Sequence, residues 1–562
     1  MLDERAADST GDARRKWSEH VERRYGGKDF STVNRSGVRV RPVYDALDLD
    51  KAVPDGGGEP GEYPFTRGIY PVHYQHQPWM DLQIIGYGVP SQLRERMDLV
   101  KAADGAKGYF GGEAYNIIFD MPTSMGYDPD TPGVRGAIGE AGVSICKVSD
   151  FEVLFAGKDL STTHVSMVCN AGSPPMLALY LAAGARMGFS GDQLGGNITN
   201  YIWDFFGHCG GVNFSPAGSY RLCVDLAVYC AQHARKFNTL TVSEHNICEA
   251  GANHTQALAF SLATIIALNE ECVALGIDPE TVVGRYGFHV RYGEDFFEDI
   301  AKTRALRRMY ATINAKRFGC TKTSSLTARI HAQTAGSLLT VQQPLNNLVR
   351  NAYGALSAVI AGVNGMTINA YDEALGLPTE EAVTLSLRTS QIIASETGVA
   401  KVSDPLGGSY YVESLTSDIE AAATAIIEEI DAMGGLVACI ESGWVQDQVV
   451  ASAYRWRQEV ESGERVIVGV NRHVTDEPDG TKVFQPNPDA ADLALADLER
   501  HRRERDGAAT AAALEALRTA ANEVRAGRAI GSCTAALVAA AEADATLGEM
   551  QAVLFEVFGR NK

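Results

Sequence analysis

From roughly Ala114 to Val412 the chain alternates short β-branched, apolar runs with longer stretches of helical period, and no other feature limits the fold so tightly. The strand candidates are Asn116–Phe119, Thr163–Cys169, Gly196–Thr199, Thr239–Ser243, Arg285–Val290, Ser325–His331, Gly365–Asn369 and Ala400–Ser403. Helix-period stretches lie between them: Pro174–Met187, Tyr220–Lys236, Thr255–Leu275, Phe296–Arg317, Leu345–Ile360, Glu380–Glu396 and Ser417–Met433. Eight strands, most of them followed by a helix, predict an α/β fold of the (β/α)8 TIM-barrel type. An open doubly wound sheet is the alternative, because alternation alone does not show closure.

In a barrel the residues at strand C-termini face the site, which singles out Thr123–Asp128, Asn170, Thr199–Asn200, His245–Asn246, His331–Gln333, Asn369–Glu373 and Asp404. The stretch from Thr66 to Asp128 should flank the mouth. It opens Thr-Arg-Gly-Ile-Tyr, ending at Tyr70, and closes Phe-Asp-Met-Pro-Thr-Ser-Met-Gly-Tyr-Asp. Within it Pro78 bars helix from the residues just before it, and Ala114 to Pro122, which includes Asn116, is a short apolar run stopped by proline and reads as a buried strand. Residues 1–60 are polar, with one helix around Ala13 to Arg24 and a closing Pro54-Asp55-Gly56-Gly57-Gly58 cluster, and are expected to form a subunit-contact arm. The barrel is expected over 61–435, and a helical extension over 436–562, with one further extended run from Glu464 to Val474.

Fifty basic against seventy acidic side chains give a net charge of −20, which repels a phosphate backbone or an anionic membrane surface, so neither nucleic acid nor membrane is an expected partner. The ten cysteines are scattered without Cys-x-x-Cys spacing and read as buried free thiols of a cytoplasmic protein, with no metal site. The N-terminus does not read as a signal peptide, and no apolar run approaches membrane-spanning length. No dinucleotide fingerprint, Walker loop or His-Glu-x-x-His occurs, and the neighbours His208 and Cys209 point apart on any regular element.

Several separated phrases, in order, resemble the large subunit of the adenosylcobalamin-dependent acyl-CoA mutases, the methylmalonyl-CoA mutase family. They are Tyr63 to Gly68, Phe119 to Thr123 with Gly126 to Asp128, Glu249 to Ala252, Arg304 to Arg307, His331 to Ala335, Asn369 to Ala374, Asp404 to Glu413, Gly469 to Arg472 and Glu556 to Gly559. The resemblance implies a barrel threaded by coenzyme A, cleavage of a cobalt–carbon bond, hydrogen abstraction by the adenosyl radical, and migration of the thioester group inside a dry interior. The cobalt-ligating Asp-x-His-x-x-Gly signature is missing, so the resemblance implies adenosylcobalamin held mainly by a separate small subunit in a heterotetramer. By position, Asn369 and Glu373 engage the adenosyl group, with Gln333 and His331 in the same cavity, while Tyr70, Gln77, Asn116, Thr199 and Arg285 meet the substrate's coenzyme A.

Departures from the family pattern bear on the substrate. Ile84 stands where methylmalonyl-CoA mutases have a tyrosine, and Cys209 where they have the arginine that clamps a second carboxylate; leaving a carboxylate buried and unpaired costs several kcal/mol. The isoleucine follows the pattern of 2-hydroxyisobutyryl-CoA mutases, whereas isobutyryl-CoA mutases carry phenylalanine. The family's thioester-contacting histidine aligns with Asn246, next to His245; the asparagine can donate to a carbonyl but cannot act as an acid. Gln77 and Leu82 replace two coenzyme A-contacting arginines and Ser324 a lysine, with Lys107, in the insertion Gly105 to Ala114, as a substitute cation. The expectation is a radical mutase acting on a branched short acyl- or hydroxyacyl-CoA without a second carboxylate. The alternatives are a related mutase for a carrier-bound or non-CoA substrate, and a catalytically silent scaffold.

Overall fold

The computed structural model describes residues 4–26, 28–52, 58–103, 105, 106, 108, 112–199, 214–475 and 482–560. Among them, eight parallel strands close into a barrel. The strands are β1 (Met80–Asp81 continuing as Ile84–Ile85), β2 (Ala114–Ile118), β3 (His164–Val168), β4 (Gly195–Ile198), β5 (Phe237–Asn238 continuing as Leu240–Ser243), β6 (Tyr286–Tyr292), β7 (Arg329–Thr334) and β8 (Gly365–Thr367). Closure is carried by the two interrupted strands. The first half of β1 pairs with β8 and its second half with β2, while the first half of β5 pairs with β4 and its second half with β6. With no free edge left, the open-sheet alternative is excluded.

Eight helices return the chain outside the strands: α1 (Pro90–Ala102), α2 (Val148–Phe155), α3 (Ser173–Arg186), α4 (Pro216–His233), α5 (His254–Ala274), α6 (Phe296–Phe318), α7 (Asn346–Ala361) and α8 (Glu380–Glu396). Their ends are written in the sequence. In α6, Asp295 caps the N-terminus, Glu298 and Asp299 sit in the first turn, Lys316 and Arg317 in the last, and Gly319 turns out of the helix at φ 70°. Alternation along each strand then sorts side chains to two surfaces. On β6, Tyr286, Phe288, Val290 and Tyr292 pack in the layer under the helices, whereas Gly287 and His289 line the bore. The two large apolar clusters therefore lie outside the barrel, one around β2–β4 and one around β5–β8, with smaller ones elsewhere, including Met80, Leu82 and Ala114.

Two strand expectations are corrected. Ala400–Ser403 is no strand: Val399–Lys401 forms a 3-10 turn, and the ring is already complete at β8, whose partner is β1. β1 was hidden behind the proline signal at Pro78, although Met80, Leu82 and Ile84 alternate with Asp81 and Gln83. The run Glu464 to Val474 forms turns with a single bridge between Val468 and Arg472, because no sheet edge is available to pair with it. Helix α5 is long and apolar enough, by length and composition, to cross a bilayer, contrary to expectation; it is a mostly buried core helix packed on α6 and the helix Tyr410–Ala432. The nine described cysteines are buried free thiols.

At the N-terminus a helix, Glu4–Tyr25, precedes a short antiparallel pairing of Thr32–Val33 with Arg39–Val40, and the helix Ala46–Ala52 packs on Tyr410–Ala432. The hairpin is tied to the barrel by Arg35, which meets Glu294 at 2.5 Å and donates to the Gly251 carbonyl at 2.8 Å, and by the Ser36 hydroxyl on Glu298. Burial first, then the carboxylates of Asp295, Glu294 and Asp299, raise the Glu298 pKa to about 8. The folded chain thus keeps this proton longer than the unfolded one. The stability it contributes is complete below the unfolded value of 4.5 and is lost as pH rises through about 8. Glu298→Gln is expected to flatten that decline, seen as a smaller drop in urea midpoint across the same window than wild type shows; equal drops would refute it.

After the barrel, the helices Leu436–Glu441 and Trp444–Ser462 follow Tyr410–Ala432 on the α5 side. Ser532–Glu542 and Leu547–Phe558 pack on α3, and Gly507–Arg525 packs on both of them and on α4. Asp128 anchors this layer by accepting from Gly548 N at 2.8 Å and from the Thr546 hydroxyl at 2.5 Å.

Candidate functional site

The bore holds two cavities stacked along the barrel axis. The lower one, about 600 Å³, runs from the N-terminal end of the strands upward; the upper one, about 480 Å³, opens at their C-terminal ends. The boundary follows the strand repeat. Leu82, Asn116, His331 and Gly365 line the lower cavity, and the residues two further along each strand, Ile84, Ile118, Gln333 and Thr367, line the upper. One layer is roughly 6.6 Å of strand.

Polar side chains cover the lower bore and bond to one another. His164 Nε2 lies 3.1 Å from Asn197 Oδ1, and Asn197 Nδ2 donates to Ser166 Oγ at 3.1 Å. The Thr367 hydroxyl donates to the Leu82 carbonyl, so at 2.8 Å it accepts from His331 Nε2–H, which leaves His331 Nδ1 as an acceptor facing Gly365. Burial, with His289 and His164 nearby, holds the His331 pKa well below its ordinary value, and the ring is neutral. Asn116 and Thr199 stand on this wall.

Four cations, Lys236, Arg285, Lys322 and Arg329, surround the lower mouth together with Glu280, Ser324 and a half-exposed Tyr70. Burial and then the neighbouring Arg329 pull the Arg285 pKa below its usual value. Gln77, Leu82 and Ser324 bring no charge to this mouth; Lys236, Lys322 and Arg329 stand there beside Arg285. Gln77 is half-buried and is absent from the lining of both cavities.

The upper cavity has two unlike walls. Ile84, Ile118, Ala141, Ile368, Leu377 and Val383 form an apolar side; His245, Asn246, Gln333, Asn369, Glu249 and Glu373 form a polar one. No lysine or arginine lines it among the described residues. Gln333 Nε2 donates to Asn369 Oδ1 at 2.9 Å, and Asn369 Nδ2 donates to the Thr334 carbonyl at 2.8 Å, so the two amides are fixed in orientation. Glu249 is held by Arg291 Nε at 3.0 Å and by Ser337 N–H at 2.7 Å. Glu373 opens onto the cavity; the enclosing walls and then Glu249 and Asp372 raise its pKa. His331, expected beside Asn369 and Glu373, sits one layer lower, because residues 331 and 333 both point inward but at successive levels.

The structure brings Ile84, His245, Asn246, Gln333, Asn369 and Glu373 into one cavity, and Tyr70, Asn116, Thr199, Arg285 and His331 into the other. Cys209, with His208, Asn200 and Lys107, lies outside the described residues. His289, His164, Asn197, Ile118 and Glu249 line these cavities without having been singled out from sequence; the available signal was the inward phase of each strand, legible once β1 is placed. Glu244, Cys248 and His254 also group closely, but the Lys302 ammonium sits 3.0 Å from both Glu244 Oε1 and His254 Nδ1 and fills the place a metal would take.

A family model described as methylmalonyl-CoA mutase matches residues 33–560. The chain is 38% identical over 479 residues to the 2-hydroxyisobutanoyl-CoA mutase large subunit of Aquincola tertiaricarbonis, covering 85% of this chain and 84% of that one. It is 36% identical over 550 residues to the methylmalonyl-CoA mutase of Cereibacter sphaeroides, covering 97% of this chain and 76% of that one. Against the human mitochondrial methylmalonyl-CoA mutase it is 34% identical over 555 residues, covering 97% and 72%.

Proposed function

This chain belongs to the methylmalonyl-CoA mutase family of cobalamin-dependent isomerases, and on that footing we propose that it is the large subunit of a mutase for branched short-chain acyl- or hydroxyacyl-CoA esters lacking a second carboxylate. The observation that carries this reading is the upper cavity: apolar on one side, acidic and amide-bearing on the other, and without a lysine or arginine among its described lining. The segment 200–213 also contains neither residue. A substrate carboxylate placed there would face Glu249 and Glu373 instead of a partner.

Each part of the substrate has a complementary surface. The four cations at the lower mouth suit the phosphates of an anionic handle, which supports coenzyme A over a substrate without one. Asn116, Asn197 and the bore histidines offer donors and acceptors to an amide-bearing arm, and Ile84 with Ile118 packs against the acyl branch. On the polar wall, Glu373, Asn369 and Gln333 would hold the hydroxyls of an adenosyl group, which carboxyl and amide side chains fit and an anion would not. When bound, adenosylcobalamin supplies the radical that starts and ends the rearrangement. The protein's task is to keep the acyl group dry and oriented, which the apolar side of the upper cavity serves. The relative named as a large subunit supports a separate cobalamin-binding small subunit as the partner.

The test is to combine this chain with a cobalamin-binding small subunit and adenosylcobalamin, then follow the alkyl-cobalt absorption as acyl-CoA esters are added. Isobutyryl-CoA or 2-hydroxyisobutyryl-CoA is expected to bleach the band and be rearranged, with methylmalonyl-CoA at least ~10²-fold poorer, the size of effect left by an unpaired buried charge. Silence with every ester would defeat the reading; preference for methylmalonyl-CoA would defeat the substrate class.

A further inference from the structure

The boundary between the two cavities carries an imidazole that none of the family phrases in the sequence contains. If the acyl group lies in the upper cavity and the handle in the lower channel, the thioester joining them falls at the boundary between the two, between the layer of Leu82, Asn116 and His331 and the layer of Ile84, Ile118 and Gln333. On the β5–β6 side that boundary is occupied by two stacked imidazoles. His245, from the upper cavity, and His289, from the top of the lower one, have ring centroids 4.7 Å apart and planes 11° from parallel.

The geometry points to His289 as the group that donates a hydrogen bond to the substrate's thioester carbonyl; this inference rests on the acyl-CoA reading above. His289 is level with Ser243 on β5 and with His331 on β7, so three consecutive strands present these side chains at one height. Ser243 Oγ caps the following helix by accepting Asn246 N–H at 3.2 Å and lies 3.3 Å from His289 Nδ1. With the hydroxyl proton given to Nδ1, the imidazole's own proton sits on Nε2, and a neutral ring presents a fixed N–H donor. His245, stacked on one face, and His331, tilted at 48° with its centroid 5.6 Å away, limit the ring's rotation. Preorganisation of this kind is what makes a donor effective at an oxygen that gains charge as the acyl group moves. Asn246, which takes the aligned place of the family histidine, is instead on the helix above, half-buried on the polar wall of the upper cavity.

The experiment compares the wild-type complex with Phe and Gln variants of His289 and with Asn246→Ala, all assembled with the small subunit and adenosylcobalamin. Phenylalanine keeps a ring in the stack and removes the donor; glutamine returns an N–H near the Nε2 position. His289→Phe is expected to lower kcat by ~10²-fold or more with KM changed only a few-fold, and His289→Gln to recover much of the loss. Infrared difference spectra of a substrate carrying ¹³C in the thioester carbonyl add a readout that a purely structural role would not move. The carbonyl band should shift to lower frequency on binding wild type, fail to shift in His289→Phe, and shift again in His289→Gln. An active wild type with an equally active His289→Phe, or a band shift lost only in Asn246→Ala, overturns this inference alone. A wild type that neither binds nor turns over any acyl-CoA removes it together with the function on which it rests.

Discussion

Replacing Gly287 with phenylalanine is expected to cut turnover of coenzyme A thioesters by at least ~10²-fold while leaving thermal stability close to wild type. Gly287 sits on β6 opposite Thr241 and Arg329, in the lining of the lower channel. A Cβ built there meets nothing closer than the Arg329 carbonyl at 3.6 Å and the Leu240 carbonyl at 4.0 Å, which is ordinary contact. The ring therefore has only the bore to enter, which is where the proposed function runs the coenzyme A handle. Neighbouring glycines would not separate blocking from misfolding: a Cβ at Gly365 comes within 2.8 Å of His331 Nδ1, and one at Gly196 within 2.2 Å of the Val165 carbonyl. Calorimetric titration with an acyl-CoA, alongside a melting curve, checks the prediction. Undiminished binding and turnover in a folded Gly287→Phe protein would mean that the ligand does not thread the barrel.

The second large effect is on stability. Arg304, buried in α6, forms ion pairs with Asp404 and, at 2.5 Å, with Glu413, while Arg67 Nε meets Asp404 Oδ2 at 3.0 Å. Glu413 also accepts Gly408 N–H at 2.9 Å. This cluster fastens the stretch after α8 to the outside of the barrel, with Asp404 held at φ 47°. Arg304→Met strands the buried Glu413 carboxylate and leaves Asp404 with Arg67 as its remaining cation, so about 3–5 kcal/mol should be lost, a large share of a typical total of about 5–15. Urea unfolding of the single variants and of Arg304→Met combined with Glu413→Gln would show it, the double variant losing less than the sum because the stranded charge is gone. A loss within ~0.5 kcal/mol would mean the cluster is effectively solvated.

That cluster also shows what the sequence phrases meant. Arg304 to Arg307 and Asp404 to Glu413 stand out as family phrases, yet in the fold they meet each other: Arg304 holds the second phrase, and Arg307 donates to the carbonyls of Thr66 and Ala361. They are fastenings, not chemistry. The barrel itself was legible because helix and strand periods differ, and the expectation Glu380–Glu396 coincides with α8. Ala400–Ser403 failed because a short β-branched run says nothing about whether a pairing edge is available, and β1 was missed because a short strand next to proline gives only a few alternating residues. The site was half legible: Asn246, Gln333, Asn369 and Glu373 stood at the ends of expected strands, while Ile84 was reached only through the family resemblance. Of the charge at the lower mouth only Arg285 was reached, through the family resemblance; Lys236, Lys322 and Arg329 come from separate places whose convergence only closure creates.

Barrels of this type commonly fill their axis with layers of branched aliphatic side chains, and that packing is part of what holds them shut. Here much of the lower bore is walled by imidazoles, carboxamides, hydroxyls and glycine, aliphatic side chains line only part of the two cavities, and the two large apolar clusters lie outside the strands. On the proposed reading, an acyl-CoA bound along the bore would complete the packing of this interior. Folding and saturation become one equilibrium, in which each tenfold rise of free ligand above its Kd adds about 1.4 kcal/mol to the native state. On that reading substrate supply would act on the lifetime of the protein as well as on its rate, the substrate-free enzyme being the form most open to unfolding and proteolysis.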